Sequence, residues 1–363
     1  MALEILSLAA GNFYAPRFEV EIENRRLAAD MSKAIMDVSV EEKLDEGASF
    51  RITVHDDFDM RTQKFKWLDH ELFTTGNKLS INMGYAGSLS PMIMGKITSI
   101  EPSFFSGELP TLSIAGQDLS FDYIKRPSPE RTFIDRTHGD IAGTIATEAG
   151  LTAVVDETSL LSNFIRKNSS ETYYTFLQRL AREAGYEFSV QRQTMYFIRP
   201  QDDSSEILTL SLGKDIISFR PSLKTSELVT EVEVRGHNPG DPSSPFIGRA
   251  SAGSERTQES GRRTGSRIAA QQHGDIRRVI TDIAVTSNEH AGSIALSELN
   301  RASDSLIQGE GECIGIPLIK PGVAIRLDKL GDRFSGKYYV KDTVHTINTG
   351  GYRTRFTVKR NAL

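Results

Sequence analysis

The 363-residue chain holds a single cysteine, Cys313. An internal disulfide and any zinc site built on paired thiolates are therefore excluded, and stability has to come from packing. Long apolar runs are absent too, and no stretch approaches the roughly 20 residues of a membrane-spanning helix. The opening, Met1 to Ala10, is apolar but interrupted by Glu4, and the first basic residue is Arg17. The positive region of a secretory leader is thus missing, and a chain made and kept in the cytosol, at least until assembly, is expected. Basic charge is in short supply: 43 Lys and Arg face 48 Asp and Glu, for a net −5. Residues 1–125 carry 19 acidic and 12 basic side chains, a net −7, which leaves +2 for the remainder. A phosphate-gripping surface needs surplus Lys and Arg, so the first third is poorly suited to nucleic acid.

What is present is enough apolar material for real cores. The 38% hydrophobic share becomes about 43% when Tyr is dropped and Gly added, just under the globular norm. At this length two or three domains are expected. Residues 1–125 read as short alternating strands: Phe18, Val20 and Ile22 alternate with acids, Phe50, Ile52 and Val54 follow, then Leu79, Ile81 and Met83, and Leu112 with Ile114. One face of each is greasy and the other wet, as in an antiparallel sheet closing on a core. The period changes over residues 126–206. Ile141, Ala142, Ile145 and Ala146 fall at helical spacing before Gly150, and Tyr173, Phe176, Leu177, Leu180 and Ala181 form a second stripe ended by Gly185, with Ser169 or Ser170 as its cap. A hairpin from Tyr186 to Ile198 closes this unit before the 202–205 break.

Strands resume over residues 207–363, with a helix at 287–307. Between them, residues 236–282 contain 16 Gly, Pro or Ser in 47 positions, no Leu or Tyr, and seven arginines against five acids. So little apolar surface predicts a flexible loop. The fold class expected from the pattern is mainly β with an α+β insert: two β-rich blocks, each an antiparallel barrel or sandwich, flank a small α+β block, divided as 1–125, 126–206 and 207–363.

Candidate chemistry is thin. The seven histidines, His55, His70, His138, His237, His273, His290 and His345, show no ligand spacing. His138 with Asp140 has the form of a base and its orienter, but helix-cap chemistry accounts for both. Asp56, Asp57 and Asp59 concentrate carboxylates that could attract calcium, yet the Gly and the later Glu of an EF-hand loop are missing. Gly309, Gly311 and Gly315 follow a helix rather than precede one, so they read as a helix stop and not a phosphate cradle. Arg256, Arg262, Arg263, Arg267, Arg277 and Arg278 form the one basic stretch, read as solvated. Cys313 reads as a small core residue. The sequence thus assigns no catalytic, cofactor-binding or metal-ligating residue.

Several spaced blocks carry a family resemblance. Cys313 to Gly322, Gly336 to Val340, His345, Gly350 to Phe356 and Lys359-Arg360-Asn361 resemble the closing segment of the phage late control gene D family, the hub proteins of contractile tails, related to the hub part of type VI secretion spike proteins. Arg166-Lys167, Tyr173, Phe176-Leu177, Leu180-Ala181, Glu183 and Gly185-Tyr186 resemble its middle domain. The resemblance implies two tail-tube-like antiparallel β-barrels plus a small α/β domain inserted between them, the second barrel (207–363) being discontinuous. It further implies a non-enzymatic homotrimer that joins a six-fold tail tube, or a tube-initiator protein, to a trimeric central spike, beside other baseplate proteins. DNA or protein cargo would pass through its lumen without specific binding, and no cofactor or membrane is involved. Spike-fused relatives continue past the point where this chain stops, so the spike is expected on a separate polypeptide. The alternative from another class is a β-barrel enzyme or nucleic-acid-binding module assembled from scattered polar residues.

Overall fold

The computed structural model describes residues 15–44, 46–85, 87–158, 161–162, 164–202 and 204–363. The leader-like opening, Met1 to Ala10, and Asp203 of the 202–205 break lie outside them.

Six main strands build the first unit: β1 (Pro16–Ile22), β2 (Ile35–Lys43), β3 (Ser49–His55), β4 (Lys78–Tyr85), β5 (Ser88–Ser103) and β6 (Thr111–Asp118). All pair antiparallel, in the order β2-β3-β6-β5-β4-β1. Alternation sends Val20, Ile22, Phe50, Ile52, Ile81 and Ile114 inward to one core. Strand β2 was not expected from the sequence, because its inward set, Val38 and Val40, continues into a carboxylate, Glu42, which is 5% exposed. Burial pushes that carboxyl above its ordinary range, against the pull of Lys320.

The insert holds α1 (His138–Glu148), β7 (Thr152–Val155), α2 (Tyr173–Ala184), β8 (Glu187–Gln191) and β9 (Thr194–Ile198). Helix α1 starts on a Thr137–Asp140 capping box, and Gly185, at φ 70°, ends α2 in the left-handed conformation that glycine tolerates best. The cap of α2 is Thr172 rather than Ser169 or Ser170, since Thr172 is the residue whose side chain accepts from the Thr175 amide.

The last part contains β10 (Thr209–Ser211), β11 (Ile216–Leu223), β12 (Glu231–Gly236), β13 (Phe246–Ser251), α3 (Gly265–His273), β14 (Arg277–Ile280), α4 (Asn288–Ser303), β15 (Ile307–Ile314), β16 (Ala324–Asp328), β17 (Gly336–Asn348) and β18 (Gly351–Arg360). Strand β17 ties the molecule together. Its first half pairs with β16, while Asp342 to Ile347 pair with β2 from Lys43 back to Val38. The result is one 13-stranded sheet running β11-β15-β18-β17-β2-β3-β6-β5-β4-β1 and ending in the two-residue strand Arg25–Arg26, with β16 and β10 branching from β17. Each end of it wraps a core: Ile347 and Tyr352 complete the first, while Leu210, Ile325, Tyr338, Val340 and Val358 belong to the second. Strand β1 comes back near β17, and a bridge from Leu212 to Ile216 links the ends of the second set.

Two expectations need correction. Residues 236–282 are not a flexible loop, because β13 and β14 flank β12 in a three-stranded sheet and α3 packs Ile268 and Ala269 into the second core, with Leu210, Ile325 and Tyr338. The sparse apolar residues are placed where they count: Val232, Val234 and Ala250 face Ala291, Ile294 and Leu299 of α4 in a core of their own. Gly248 lets the helix approach, since a Cβ there would lie 2.0 Å from the Gly292 nitrogen. Residues 256–264 are also tied to the chain end, where Gln258 and Asn361 exchange backbone-to-amide hydrogen bonds. The second correction concerns Gly309 and Gly311. Helix α4 ends at Ser303, short of the expected 307, and both glycines lie within β15, because the rings of Phe219 and Phe356 occupy the space a side chain would take.

Candidate functional site

The long sheet has a second face. Opposite the cores, β11, β15, β18, β17, β2 and β3 present Ser218, Arg220, Glu312, Arg355, Ser39 and Arg51, with a shallow groove of about 450 Å³ across the first four strands. Charges there are paired sideways: Arg355 sits 3.2 Å from Glu312, and Arg51 sits 3.5 Å from Glu101. Exposed pairs of this kind add little stability. They make a hydrated wall of mixed sign that spans both halves of the chain.

The insert is fixed to the last part through α2 and α4. Glu298, 3% exposed, receives Arg182 at 3.0 Å and also Arg301, and Ser297 Oγ donates to the Arg182 carbonyl at 2.7 Å. Beside this joint lies a cavity of about 550 Å³ lined by His138, Phe164, Arg179, Glu183, Asp282 and His290. The rings of His138 and His290 are 6.4 Å apart. Burial, helped by His290 and Arg179, pushes His138 down to about 4, and burial also lowers His290. Burial raises Glu183 even though Arg179 pairs with it. Both imidazoles are thus uncharged at neutral pH.

A second buried constellation joins the insert to β17 and β18. Lys359 Nζ lies 2.7 Å from Asp304 and 3.8 Å from Glu187, whose other oxygen accepts from the Tyr339 hydroxyl at 2.6 Å. Burial opposes the charge on Lys359, but Asp304 and Glu187 outweigh it and hold the ammonium above its ordinary range.

The residues singled out in sequence are not brought together. Asp140 accepts from the Thr137 amide at 3.1 Å and so caps α1 rather than orienting His138. Asp56 accepts from the amides of Trp67 and Leu68 at 2.8 and 2.9 Å, and Asp59 from those of Arg61 and Thr62, so these carboxylates organise a loop. Among the described residues no group of three or more His, Cys, Asp or Glu could hold a metal ion. Cys313 is buried, and burial raises its thiol. His345 is buried under the first unit, its Nε2 2.9 Å from the Ile319 carbonyl and its Nδ1 3.0 Å from the Tyr352 and Thr354 hydroxyls.

Sequence reasoning missed Glu233. Its side chain is fully covered, yet by guanidinium groups rather than by core: Arg249 at 2.6 Å, Arg235 and Arg277. The hydrogen bond from Arg249, ahead of that from Arg235, holds this carboxyl below its ordinary range. The signal available was the alternation Glu231-Val232-Glu233-Val234-Arg235, which marks a wet strand face. It does not say that arginines from residues 249 and 277 converge on it.

Comparison with solved structures places this architecture. The prophage MuSo2 43 kDa tail protein of Shewanella oneidensis superposes with a TM-score of 0.72 at 16% identity, covering 95% of this chain and 98% of that one. A tail protein of Neisseria meningitidis MC58 gives 0.70 at 13% identity, over 96% and 97%. An Escherichia coli component of the type VI secretion system gives 0.61 at 12% identity, over 94% and 77%. The fold is therefore that of phage tail proteins, mainly β around a large antiparallel sheet. No curated protein matches the sequence. Residues 15–349 match the family described as the Alg8 N-terminal domain, and the chain belongs to that family.

Proposed function

We propose that this member of the Alg8 N-terminal domain family is the baseplate hub of a contractile phage tail or a phage-tail-like injection system, of the late control gene D kind. Three copies form a ring that joins the six-fold tail tube to the trimeric central spike and surrounds the channel, within the baseplate of the assembled particle. The observation that carries this reading is the double wrapping of one sheet. Two strand-built cores, joined through β17, give each chain two tube-like units, so three chains supply six. The hydrated outer face of the sheet suits a channel wall, since paired charges of mixed sign neither grip DNA nor bind an apolar cargo. The chain is a structural component and not an enzyme.

Light scattering tests the reading. A trimer has a mass of about 121 kDa, three times the 40.2 kDa chain, and forms at high concentration or with a co-expressed spike. A stable monomer that also fails to bind the spike overturns it. Turnover, or salt-sensitive DNA affinity, would instead favour the barrel enzyme or nucleic-acid module.

A further inference from the structure

Among the described residues, two exposed patches combine apolar side chains with charge outside the cores and the hydrated wall. The first is the tip of the β5–β6 hairpin. Phe104, Phe105 and Leu109 are 57%, 66% and 63% exposed, and Met60 on the adjoining loop is 77% exposed. The Phe104 ring lies 5.2 Å from that of Phe65, which lies 4.8 Å from that of Phe58, both pairs tilted, so the tip is a braced aromatic knob and not a loose end. Glu101 and Glu108 flank the tip in sequence, and the adjoining loop carries Asp57 and Asp59 against Arg61 and Lys64.

The second patch is the face of the β13-β12-β14 sheet turned away from α4. It carries Arg235, Arg249 and Arg277, with Ile247 and Val279 beside them, 37% and 46% exposed. The three guanidiniums share the Glu233 carboxylate, and Arg277 also pairs with Glu231. One carboxylate cannot engage every N–H of three arginines, so donors are left pointing outward. Because Glu233 already holds these side chains, little rotamer freedom remains to be lost on binding, and arginine is among the residues enriched at interface hot spots.

We infer that the acidic aromatic hairpin tip of one copy docks on the arginine-faced β13-β12-β14 sheet of the next copy. Both patches pair exposed apolar side chains with charge, and the charges are opposite. The chain as a whole has the same asymmetry, −7 over residues 1–125 and +2 over the rest. A tip meeting a face is a head-to-tail contact, the type that closes a ring when the rotation between copies allows it. The inference rests on the trimeric reading above and names the surfaces that would close it.

The test uses the full chain and exposed positions. A tip variant, Phe104→Ser with Phe105→Ser, and a face variant, Ile247→Glu with Val279→Glu, are compared with the wild type by light scattering over a concentration series. Each variant is expected to weaken trimerisation by at least about tenfold, the scale of one hot-spot residue. An equimolar mixture of the two is expected to stop at dimers, because one intact tip then meets one intact face. A wild type that is monomeric at every concentration removes the hub reading itself. A trimeric wild type whose variants also form trimers leaves that reading standing and overturns this inference, as does a mixture that stays monomeric. Should a variant fail to fold, a photo-crosslinker at position 105 of the otherwise native chain decides: adducts to residues 246–251 or 277–280 of a second copy support the contact, and adducts elsewhere refute it.

Discussion

Acidification should loosen the molecule through its buried histidines, and His345 allows the effect to be worked out. Burial, with Lys320 nearby, pushes this imidazole from 6.5 down to about 4, although the hydrogen bond to the Ile319 carbonyl pulls the other way. A folded-state value below the unfolded one means that the stabilisation is complete above pH 6.5 and is lost as pH falls toward 4. Linkage puts the loss from this one group at about 2 kcal/mol by pH 5 and about 3 kcal/mol by pH 4. His138, also held at about 4, adds a similar loss. Glu42, Asp118, Glu183 and Glu187 act in the opposite sense. Burial raises each of them, so their contribution is present in acid and is lost as pH rises through the folded value. The total slope therefore mixes signs, and a paired comparison isolates His345. The variant His345→Gln keeps a donor for the Ile319 carbonyl and an acceptor for the Tyr352 hydroxyl but does not titrate. Urea unfolding, followed by fluorescence of the single tryptophan, Trp67, in the adjoining core, is measured for both proteins at pH 7 and pH 5. The wild type should lose about 2 kcal/mol more than the variant over that interval. Equal losses would show that His345 takes up its proton in the folded state as readily as in the unfolded chain, and the reasoning would fail.

Other consequences are as direct. Gly248→Ala should destabilise by roughly 3 kcal/mol, because the new methyl meets the α4 backbone, whereas Gly143→Ala, with open space around it in α1, should stabilise by up to about 1 kcal/mol; thermal melts of the pair check the contrast. Thr172→Ala should cost about 1 kcal/mol and Ser170→Ala close to nothing, since Thr172 caps α2; equal effects would return the cap to the serine. Deleting residues 240–274 should abolish soluble, cooperatively unfolding protein, because it removes β13 and α3 and uncovers Val232 and Val234; a well-folded deletion product would restore the view of this segment as a loop.

Local pattern carried the reading furthest where burial follows a simple period. The stripe from Tyr173 to Ala181 and the alternations at Val20, Ile52 and Ile81 each turn one face to a core, so an element and its inward side can be read together. Strand β2 escaped because a buried carboxylate closes its pattern. Residues 236–282 misled for a related reason: composition counts apolar residues, while packing depends on where they stand. Val232 and Ala250 suffice because α4 covers them, and Gly248 is the reason the helix can come so close.

The sequence by itself determined the exclusions, the chemistry of a chain without disulfides or paired thiol ligands, and most helices and strands, since each depends on residue type and near neighbours. Only the tertiary structure decided that β17 serves two cores, that three arginines share Glu233, and that His138 meets His290 at the joint of the insert. Those contacts join residues far apart in the chain, Lys43 with Asp342 or Arg182 with Glu298, and no local period records which distant partner will cover a given face.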